Sequence, residues 1–149
     1  YEHRLRYDAV RIHQLNTYDL AILRFESPKD YHVVDFSYAP LYGGRDVIAI
    51  GTPMGVYNQI TFGKTLGYAE VELQDATYLS DVKFPVIVHS AEIDHGSSGG
   101  PLFDHQLELV GINFASGENS DPNNVSVAIP VDKIFAYFDE VGGQFSDIT

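Results

Sequence analysis

The sequence predicts an all-β fold that ends in a single helix. Short runs of β-branched and aromatic residues alternate with clusters of Gly, Pro, Asn and Asp, and this regular spacing is typical of a β-sandwich or a β-barrel. Apolar residues make up 44% of the 149-residue chain and aromatic residues 13%, which excludes the composition of a disordered chain. A chain of this length can bury a core, either as one domain or as two small lobes.

Eight runs have the composition of strands. They cover residues 7–12, 20–25, 46–50, 59–62, 64–73, 86–88, 107–114 and 125–129. Clusters of turn residues separate them and set the backbone dihedral angles that reverse the chain. These clusters lie at residues 27–30, 40–44, 51–55, 96–101 and 117–124.

One segment near the C-terminal end has helical periodicity. Pro130 suits the first turn of a helix, because its missing N–H would have no partner there in any case. Apolar residues then recur at helical spacing until Gly142 and Gly143 end the pattern. The sequence therefore predicts a helix over residues 130–141 that packs on the end of a barrel. Its apolar positions are Val131, Ile134, Phe135, Phe138 and Val141.

Charge and the lack of cysteine exclude several partners and sites. The chain has 21 acidic residues and 9 Lys and Arg, so its net charge is −12. No cluster of basic residues interrupts this acidity, and neither a nucleic acid nor an anionic membrane is a predicted partner. No apolar run approaches the roughly 18 residues that a membrane-spanning helix needs. Without cysteine, the chain has no disulfide, thiolate metal ligand or thiol nucleophile.

The most informative segment is the sequence DHGSSGGPL at residues 94–102. Glycines surround Ser98, so the backbone can approach a ligand closely and the hydroxyl has no bulky neighbour. A nucleophilic serine needs such a loop, because its own N–H and that of the glycine two residues earlier can together stabilise an oxyanion. Ser98 is therefore a candidate nucleophile, with Gly96 and Ser98 as candidate oxyanion donors. The alternative is an ordinary Gly-Ser turn between strands.

A second candidate is Asp19, which directly precedes the apolar strand predicted at residues 20–25. A carboxylate that is partly buried at this point can orient an imidazole and stabilise its protonated form. The alternative is a turn residue at the edge of a strand, a position in which Asp is common.

Neither a metal site nor a cofactor is predicted. The histidines lack the i, i+4 pairing and the short Cys/His spacing of zinc sites. The loop at residues 117–124 is rich in oxygen ligands, but they do not follow the ordered positions of a known calcium loop, so we interpret it as a solvated loop. Its oxygen-bearing side chains include Glu118, Asn119, Asp121, Asn123 and Asn124.

Together these segments resemble the trypsin-like serine proteases of the chymotrypsin fold, and specifically their HtrA/Deg branch. The similar segments follow the family's order along nearly the whole chain, at residues 8–25, 46–55, 60–67, 86–102, 109–113 and 127–130. The resemblance implies a chymotrypsin-like double β-barrel. Residues 1–40 would be the second half of the N-terminal barrel, and residues 41–149 the complete C-terminal barrel with its closing helix.

The resemblance also implies roles for particular residues. Ser98 is the nucleophile, Asp19 is the acid of the triad, and the N–H groups of Gly96 and Ser98 form the oxyanion hole. Ser97 stands where these proteins usually have Asn or Asp, which argues against activation by a newly freed N-terminus and fits the HtrA branch.

The resemblance places Glu92 near the base of the S1 pocket, where a buried acid would select Lys or Arg at P1. HtrA-like enzymes usually prefer small aliphatic residues at P1, and we expect that preference here. The implied pocket walls are Asn113, Phe114, Ala115, Ser126 and Val127.

The His of the family's His-Asp-Ser order has no counterpart in the sequence. His3 and His13 precede Asp19 but lack the family's flanking residues, so we interpret them as solvated strand histidines. We expect the catalytic His on a segment in front of Tyr1 or on a second chain, and the isolated chain to be inactive. Chain order and loop geometry make poor general bases of His89, His95 and His105.

The resemblance thus implies a serine endopeptidase that cleaves proteins or peptides through an acyl-enzyme, without a cofactor, in a secreted or cell-envelope (periplasmic) setting. Two alternatives stay open. One is a catalytically inactive binding or scaffold module with a protease-like fold. The other is a self-contained hydrolase of a different fold that uses His3 or His13 as its base.

Overall fold

The computed structural model describes residues 7–56, 58–71, 81–116 and 125–142. These residues form eight strands, one α-helix and a single 3₁₀ turn at Pro53–Gly55, which confirms the predicted all-β class with one C-terminal helix. The elements are β1 (Ala9–Leu15), β2 (Leu20–Phe25), β3 (Asp46–Gly51), β4 (Gln59–Ala69), β5 (Val86–His89), β6 (Pro101–Asp104), β7 (Leu109–Ser116), β8 (Ser126–Pro130) and α1 (Val131–Val141).

Six of the strands close into a barrel. Their order around the ring is β3-β4-β5-β8-β7-β6, and every neighbouring pair is antiparallel. Closure removes the free strand edges that an open sheet would present. The remaining strands, β1 and β2, form a separate two-stranded antiparallel hairpin. In the described ranges, no helix has the length and apolar character needed to span a bilayer.

Two apolar clusters hold these parts together. One draws on β3, β5, β6, β7 and β8 and fills the barrel, with residues such as Val47, Ile87 and Leu102 almost fully buried. The other joins β2 and the outer side of the barrel to α1, through Leu20 and Ile134 among others. Burial of this kind is the main favourable contribution to folding.

Helix α1 confirms the helix predicted over residues 130–141, with two differences. Pro130 precedes the helix in an extended conformation as its N-cap residue. Tyr137 lies on the buried face, whereas Phe138, predicted to be part of that face, is 44% exposed. Tyr137 follows Ile134 by three residues, and this spacing keeps it above Ile134 on the side that faces the core.

Several predicted strand limits were wrong. The strands predicted at 59–62 and 64–73 are one strand, β4, which runs through Gly63. A Cβ at Gly63 would overlap the backbone of Ala91, so this glycine serves a close approach of two backbones and does not mark a turn. Strand β6 was not predicted, because it is only four residues long and follows a glycine cluster. Strand β7 begins at Leu109, since Leu107 has a φ of 61° in the preceding turn.

Candidate functional site

The loop that carries Ser98 is folded by two tight turns. The Ser97 N–H donates to the Asp94 carbonyl at 2.8 Å, and the Gly100 N–H donates to the Ser97 carbonyl at 3.0 Å. Gly96 has a φ of 95° and Gly99 a φ of 87°, conformations that residues with a Cβ rarely adopt. These turns leave the Ser98 side chain exposed.

A neighbouring segment, residues 51–55, packs against the loop that carries Ser98. The Met54 N–H donates to the His95 carbonyl at 2.8 Å. A Cβ on Gly96 would overlap the Thr52 carbonyl oxygen, and a Cβ on Gly51 would lie 2.7 Å from Ser97 Oγ. The loop therefore rests directly on backbone, and Ser97, which is buried, fills the space between the two segments.

Two N–H groups of the loop have no hydrogen-bond partner among the described residues. The N–H groups of Ser97, Gly99 and Gly100 all donate to carbonyl oxygens, whereas those of Gly96 and Ser98 donate to none. An exposed N–H on each side of Ser97 is what a ligand oxygen would need, and these are the two donors predicted from the sequence.

The Ser98 hydroxyl donates to the Phe114 carbonyl oxygen at 3.3 Å. This contact links the loop to β7, which the resemblance had implied as a wall of the substrate pocket. No imidazole is hydrogen-bonded to Ser98 in the part of the chain that the structure describes.

Strands β7 and β8 bring the predicted wall residues together. Asn113 pairs with Ala128, Ala115 with Val127 and Ser116 with Ser126 in the antiparallel ladder. The side chains of Phe114 and Val127, however, belong to the buried cluster against α1 and do not line an open recess.

The other predicted pocket residues are held by hydrogen bonds. Ser126 is buried and its hydroxyl donates to the Ala91 carbonyl at 2.8 Å. Glu92 is exposed, and its carbonyl oxygen accepts a hydrogen bond from the Thr61 hydroxyl at 2.7 Å. The recess beside Glu92 has a volume of about 10 Å³, too small for a substrate side chain. Because the Glu92 carboxylate is exposed, the structure gives no support for the preference for Lys or Arg that a buried carboxylate would cause.

Asp19 ends the turn between β1 and β2. Its φ is 52°, and its N–H donates to the Asn16 carbonyl at 3.2 Å. Asp tolerates this left-handed conformation better than most residues. Asp19 is exposed, so the expected partly buried environment is wrong, although Leu20 beside it is part of the core.

The histidines are dispersed over the fold. His13 Nδ1 lies 2.8 Å from the Tyr137 hydroxyl in a partly buried contact, so its interpretation as a solvated residue was wrong. His95 and His105 are exposed, while His89 is completely buried in the barrel. His3 and the oxygen-rich loop at 117–124 lie outside the described residues. Within the described ranges, no three His, Asp or Glu side chains are placed to hold a metal ion together.

The hydrogen-bond partner of His89 was not predicted from the sequence. His89 Nε2 lies 2.8 Å from Asn113 Oδ1, and both side chains are fully buried. The available signal was the position of His89 two residues after Ile87, on the same face of a strand whose other members are apolar.

Comparisons with known sequences agree with this geometry. The family model of the trypsin-like peptidase domain matches residues 2–112. Protease Do-like 1, chloroplastic, from Arabidopsis thaliana is 34% identical over 126 residues, which cover 83% of this chain and 28% of that protein. The serine protease Do-like HtrA of Bacillus subtilis is 32% identical over 115 residues, which cover 75% of this chain and 25% of that protein. The chain thus spans about a quarter of the length of these relatives.

Comparisons with solved structures give the same fold. The active form of the Rv3671c protease from M. tuberculosis superimposes with a TM-score of 0.76 at 22% identity, over 91% of this chain and 59% of that one. An inactive form of the same protease gives a TM-score of 0.76 at 19% identity, over 93% of this chain and 67% of that one. The chain has a chymotrypsin-like barrel and a C-terminal helix, a family model matches most of its length, and its relatives are HtrA/Do-like serine proteases. The chain therefore belongs to the trypsin-like peptidase domain family.

Proposed function

We propose that this chain is the nucleophile-bearing part of a serine endopeptidase that hydrolyses peptide bonds through an acyl-enzyme. The observation that carries the proposal is the environment of Ser98: an exposed hydroxyl on a glycine loop, beside the N–H groups of Gly96 and Ser98, which have no partner in the described part of the chain. This is the arrangement that stabilises a developing oxyanion during acyl transfer.

In the proposed reaction, Ser98 Oγ attacks the scissile carbonyl carbon while a general base takes its proton. The N–H groups of Gly96 and Ser98 stabilise the oxyanion that forms. Collapse of this intermediate breaks the C–N bond, the leaving amine receives the proton from the base, and an ester remains on Ser98. The same base then takes a proton from water, which attacks the ester carbonyl. As the C–O bond breaks, the base returns this proton to Ser98 Oγ and the acid product leaves.

The general base is proposed to be a His outside the described residues, on a segment in front of Tyr1 or on a second chain, with Asp19 orienting it. In this proposal residues 1–40 belong to an N-terminal barrel and residues 41–149 form the C-terminal one. The hairpin β1–β2 supports this view, because it has only two strands and exposes Leu23, which is 61% accessible. A two-stranded hairpin is marginally stable without further packing.

Strand β7 offers a binding edge for an extended peptide. On the side of β7 that faces β6, the ladder ends where Pro101 pairs with Ile112, and the backbone of Asn113 is hydrogen-bonded to the loop that carries Ser98. Among the described residues, the backbone of residues 114–116 therefore has no backbone partner on that side. An extended substrate can add there as a further antiparallel strand.

The exposed Glu92 supports a small aliphatic residue at P1, because a solvated carboxylate attracts Lys or Arg only weakly. We propose a secreted or cell-envelope setting.

Labelling with a fluorophosphonate tests the proposal. The reagent should modify Ser98 in the longest natural form of the protein, because only an activated serine reacts, and peptide mapping should locate the adduct. Ser98→Ala should abolish labelling, whereas Ser97→Ala, the adjacent and buried serine, should leave a labelled Ser98. Absence of labelling in that form, alone or with any associated chain, contradicts the proposal.

A second candidate function is a protease-like binding module without catalysis. The observation that favours it is the Ser98 hydroxyl, which is bonded to a carbonyl oxygen and to no imidazole among the described residues. Such a module would bind an extended peptide with unchanged affinity after Ser98→Ala and would leave the peptide uncleaved. Cleavage of that peptide by the unmodified protein excludes this function.

A further inference from the structure

A buried hydrogen bond in the barrel connects His89 with Asn113, which the resemblance implied only as a wall of the substrate pocket. His89 on β5 and Asn113 on β7 are both completely inaccessible to solvent. Their side chains meet at 2.8 Å, between His89 Nε2 and Asn113 Oδ1. Polar side chains are rarely buried to this extent unless each is satisfied by a specific partner.

Asn113 holds the three residues that follow Ser98. Its backbone carbonyl accepts from the Gly99 N–H at 2.7 Å, and its N–H donates to the Gly100 carbonyl at 2.9 Å. Its side-chain Nδ2 lies 3.4 Å from the Pro101 carbonyl oxygen. Through Asn113, strand β7 therefore fixes the C-terminal side of the loop that carries Ser98, which we call the nucleophile loop.

These contacts define the protonation state of His89. Because Asn113 Nδ2 faces a carbonyl oxygen, Oδ1 is the acceptor toward His89, and His89 Nε2 must be the donor. His89 Nδ1 is buried and has no hydrogen-bond partner among the described residues, so it carries the lone pair of the neutral ring. Burial lowers the pKa of the His89 imidazole, while the hydrogen bond to Asn113 acts in the opposite direction.

We propose that His89 is a positioning residue: through Asn113, its neutral Nε2–H tautomer holds the Gly99–Pro101 side of the Ser98 loop in place, and protonation of His89 releases this hold. The inference deepens the proposed function, since the loop it fixes bears the proposed nucleophile. A proton on Nδ1 would add a buried charge that has no acceptor among the described residues, so it would bind only when the site opens.

In the described part of the chain, the residues that face His89 from the neighbouring strands are uncharged. Its register partners are Thr65 on β4 and Ser126 on β8, and Asn113 faces it from β7. The hydroxyls of Thr65 and Ser126 donate to the carbonyl oxygens of Tyr42 and Ala91, respectively. No charged side chain of the described residues contributes to the lowered pKa. Opening is thus favoured as the pH falls below the ordinary histidine pKa, because the open site binds a proton that the closed site excludes.

Hydrogen exchange tests the proposal without depending on catalysis. In the longest natural form of the protein, mass spectrometry would follow peptides that contain Gly99 and Gly100. At about pH 7.5, His89→Met, which keeps a similar volume but has no donor, should exchange about tenfold faster than the unmodified protein. His89→Gln, which keeps an N–H donor, should exchange at the original rate, and His105→Gln on the exposed turn serves as the matched control.

Acidification provides the second measurement. Between about pH 7.5 and about pH 5, protection corrected for intrinsic exchange should fall in the unmodified protein and in His105→Gln, and stay constant in His89→Gln. Equal protection in His89→Met and the unmodified protein overturns the proposal. So does a parallel loss of protection in His89→Gln on acidification, and this comparison is decisive even when His89→Met does not fold.

Fluorophosphonate labelling of the same variants separates this inference from the proposed function. If Ser98 is never labelled while the exchange pattern follows the expectation, the His89–Asn113 hold on the loop stands and the proposed catalysis is wrong. If Ser98 is labelled at equal rates in His89→Met and the unmodified protein, the hold has no part in positioning the nucleophile.

Discussion

At the scale of the residue, the nucleophile loop depends on glycines that are needed for different reasons. Gly96 and Gly99 both have positive φ, but only Gly96 also lacks space for a side chain, because the Thr52 carbonyl oxygen lies against it. Gly99 has no atom within 4 Å of where its Cβ would be. The first glycine sets both the conformation and the packing of the loop, and the second sets only its conformation.

We therefore expect Gly96→Ala to be more damaging than Gly99→Ala. The Gly99 variant should lower the free energy of unfolding by about 1–2 kcal/mol, the cost of a left-handed residue with a Cβ. The Gly96 variant adds a clash with backbone that has no flexible side chain to move, and it should slow the labelling of Ser98 as well. Urea unfolding and labelling rates would measure both effects.

Gly55→Ala is the matched control for this prediction. Gly55 has a φ of 78° and open space around its Cβ position, and it lies outside the nucleophile loop. It should lose stability as Gly99→Ala does and keep the labelling rate of Ser98. Equal effects of Gly96→Ala and Gly55→Ala on labelling would show that the Thr52 contact has no role in shaping the site.

The residues of the loop could be predicted from sequence, whereas the network behind it could not. Glycines beside a serine have local consequences, because each restricts or frees its own backbone. The His89–Asn113 hydrogen bond joins residues 24 positions apart, and only barrel closure brings their strands together. Burial of Phe114 and Val127 against α1 depends on tertiary packing in the same way.

At the scale of the element, helix α1 packs against both the hairpin and the barrel. Ile134 belongs to the same buried cluster as Leu20 of β2 and Phe103 of β6. The Tyr137 hydroxyl lies 2.8 Å from His13 Nδ1 on β1, and its ring also contacts Tyr18. The helix face therefore links two sheets that have no common strand, together with the ring contact of Tyr18 with Phe84 and the hydrogen bond from the Asp81 N–H to the Asn16 carbonyl.

Ile134→Ala should lower the free energy of unfolding by about 2–5 kcal/mol, the range for a large side chain removed from a core. Asp139→Ala, on the exposed side of the same helix, should change it by no more than about 0.5 kcal/mol. Equilibrium urea unfolding of both variants would measure the difference. Similar values for the two would mean that α1 does not anchor the hairpin.

Element boundaries show where sequence patterns mislead. Gly63 looked like a break, but it lies where two backbones approach too closely for a side chain, and β4 continues through it. Strand β6 is defined by its ladder with β3 and β7, since its four residues carry little periodicity of their own. Longer periodic elements such as α1 were predicted almost to the residue.

At the scale of the whole molecule, a closed barrel adjoins an open hairpin. Every barrel strand has a neighbouring strand on both sides, although residues 114–116 of β7 extend past β6, whereas β1 and β2 each have one unpaired edge among the described residues. The hairpin also exposes apolar side chains on both faces, Val10 on one and Leu23 and Phe25 on the other. Such a surface favours association with further chain.

We expect the 149-residue chain by itself to self-associate through the hairpin, despite the repulsion due to its net charge of −12. Leu23→Lys should reduce the sedimenting mass in analytical ultracentrifugation, because it places a charge on the exposed face. Phe62→Lys, on a barrel strand where the side chain is 74% exposed, should leave the mass unchanged. A monodisperse, cooperatively unfolding chain would contradict this expectation.

The hydrogen bond between Ser98 and Phe114 has a consequence for how substrate length enters the proposed reaction. The Phe114 carbonyl that accepts the Ser98 hydroxyl lies on the same edge of β7 that an incoming strand would use. A peptide long enough to pair with this edge competes for that carbonyl and so frees the hydroxyl, while a short ester reaches Ser98 with the hydroxyl still held. Under the proposed function, strand pairing and nucleophile release are thermodynamically linked, so chain length beyond the cleaved bond increases kcat as well as affinity.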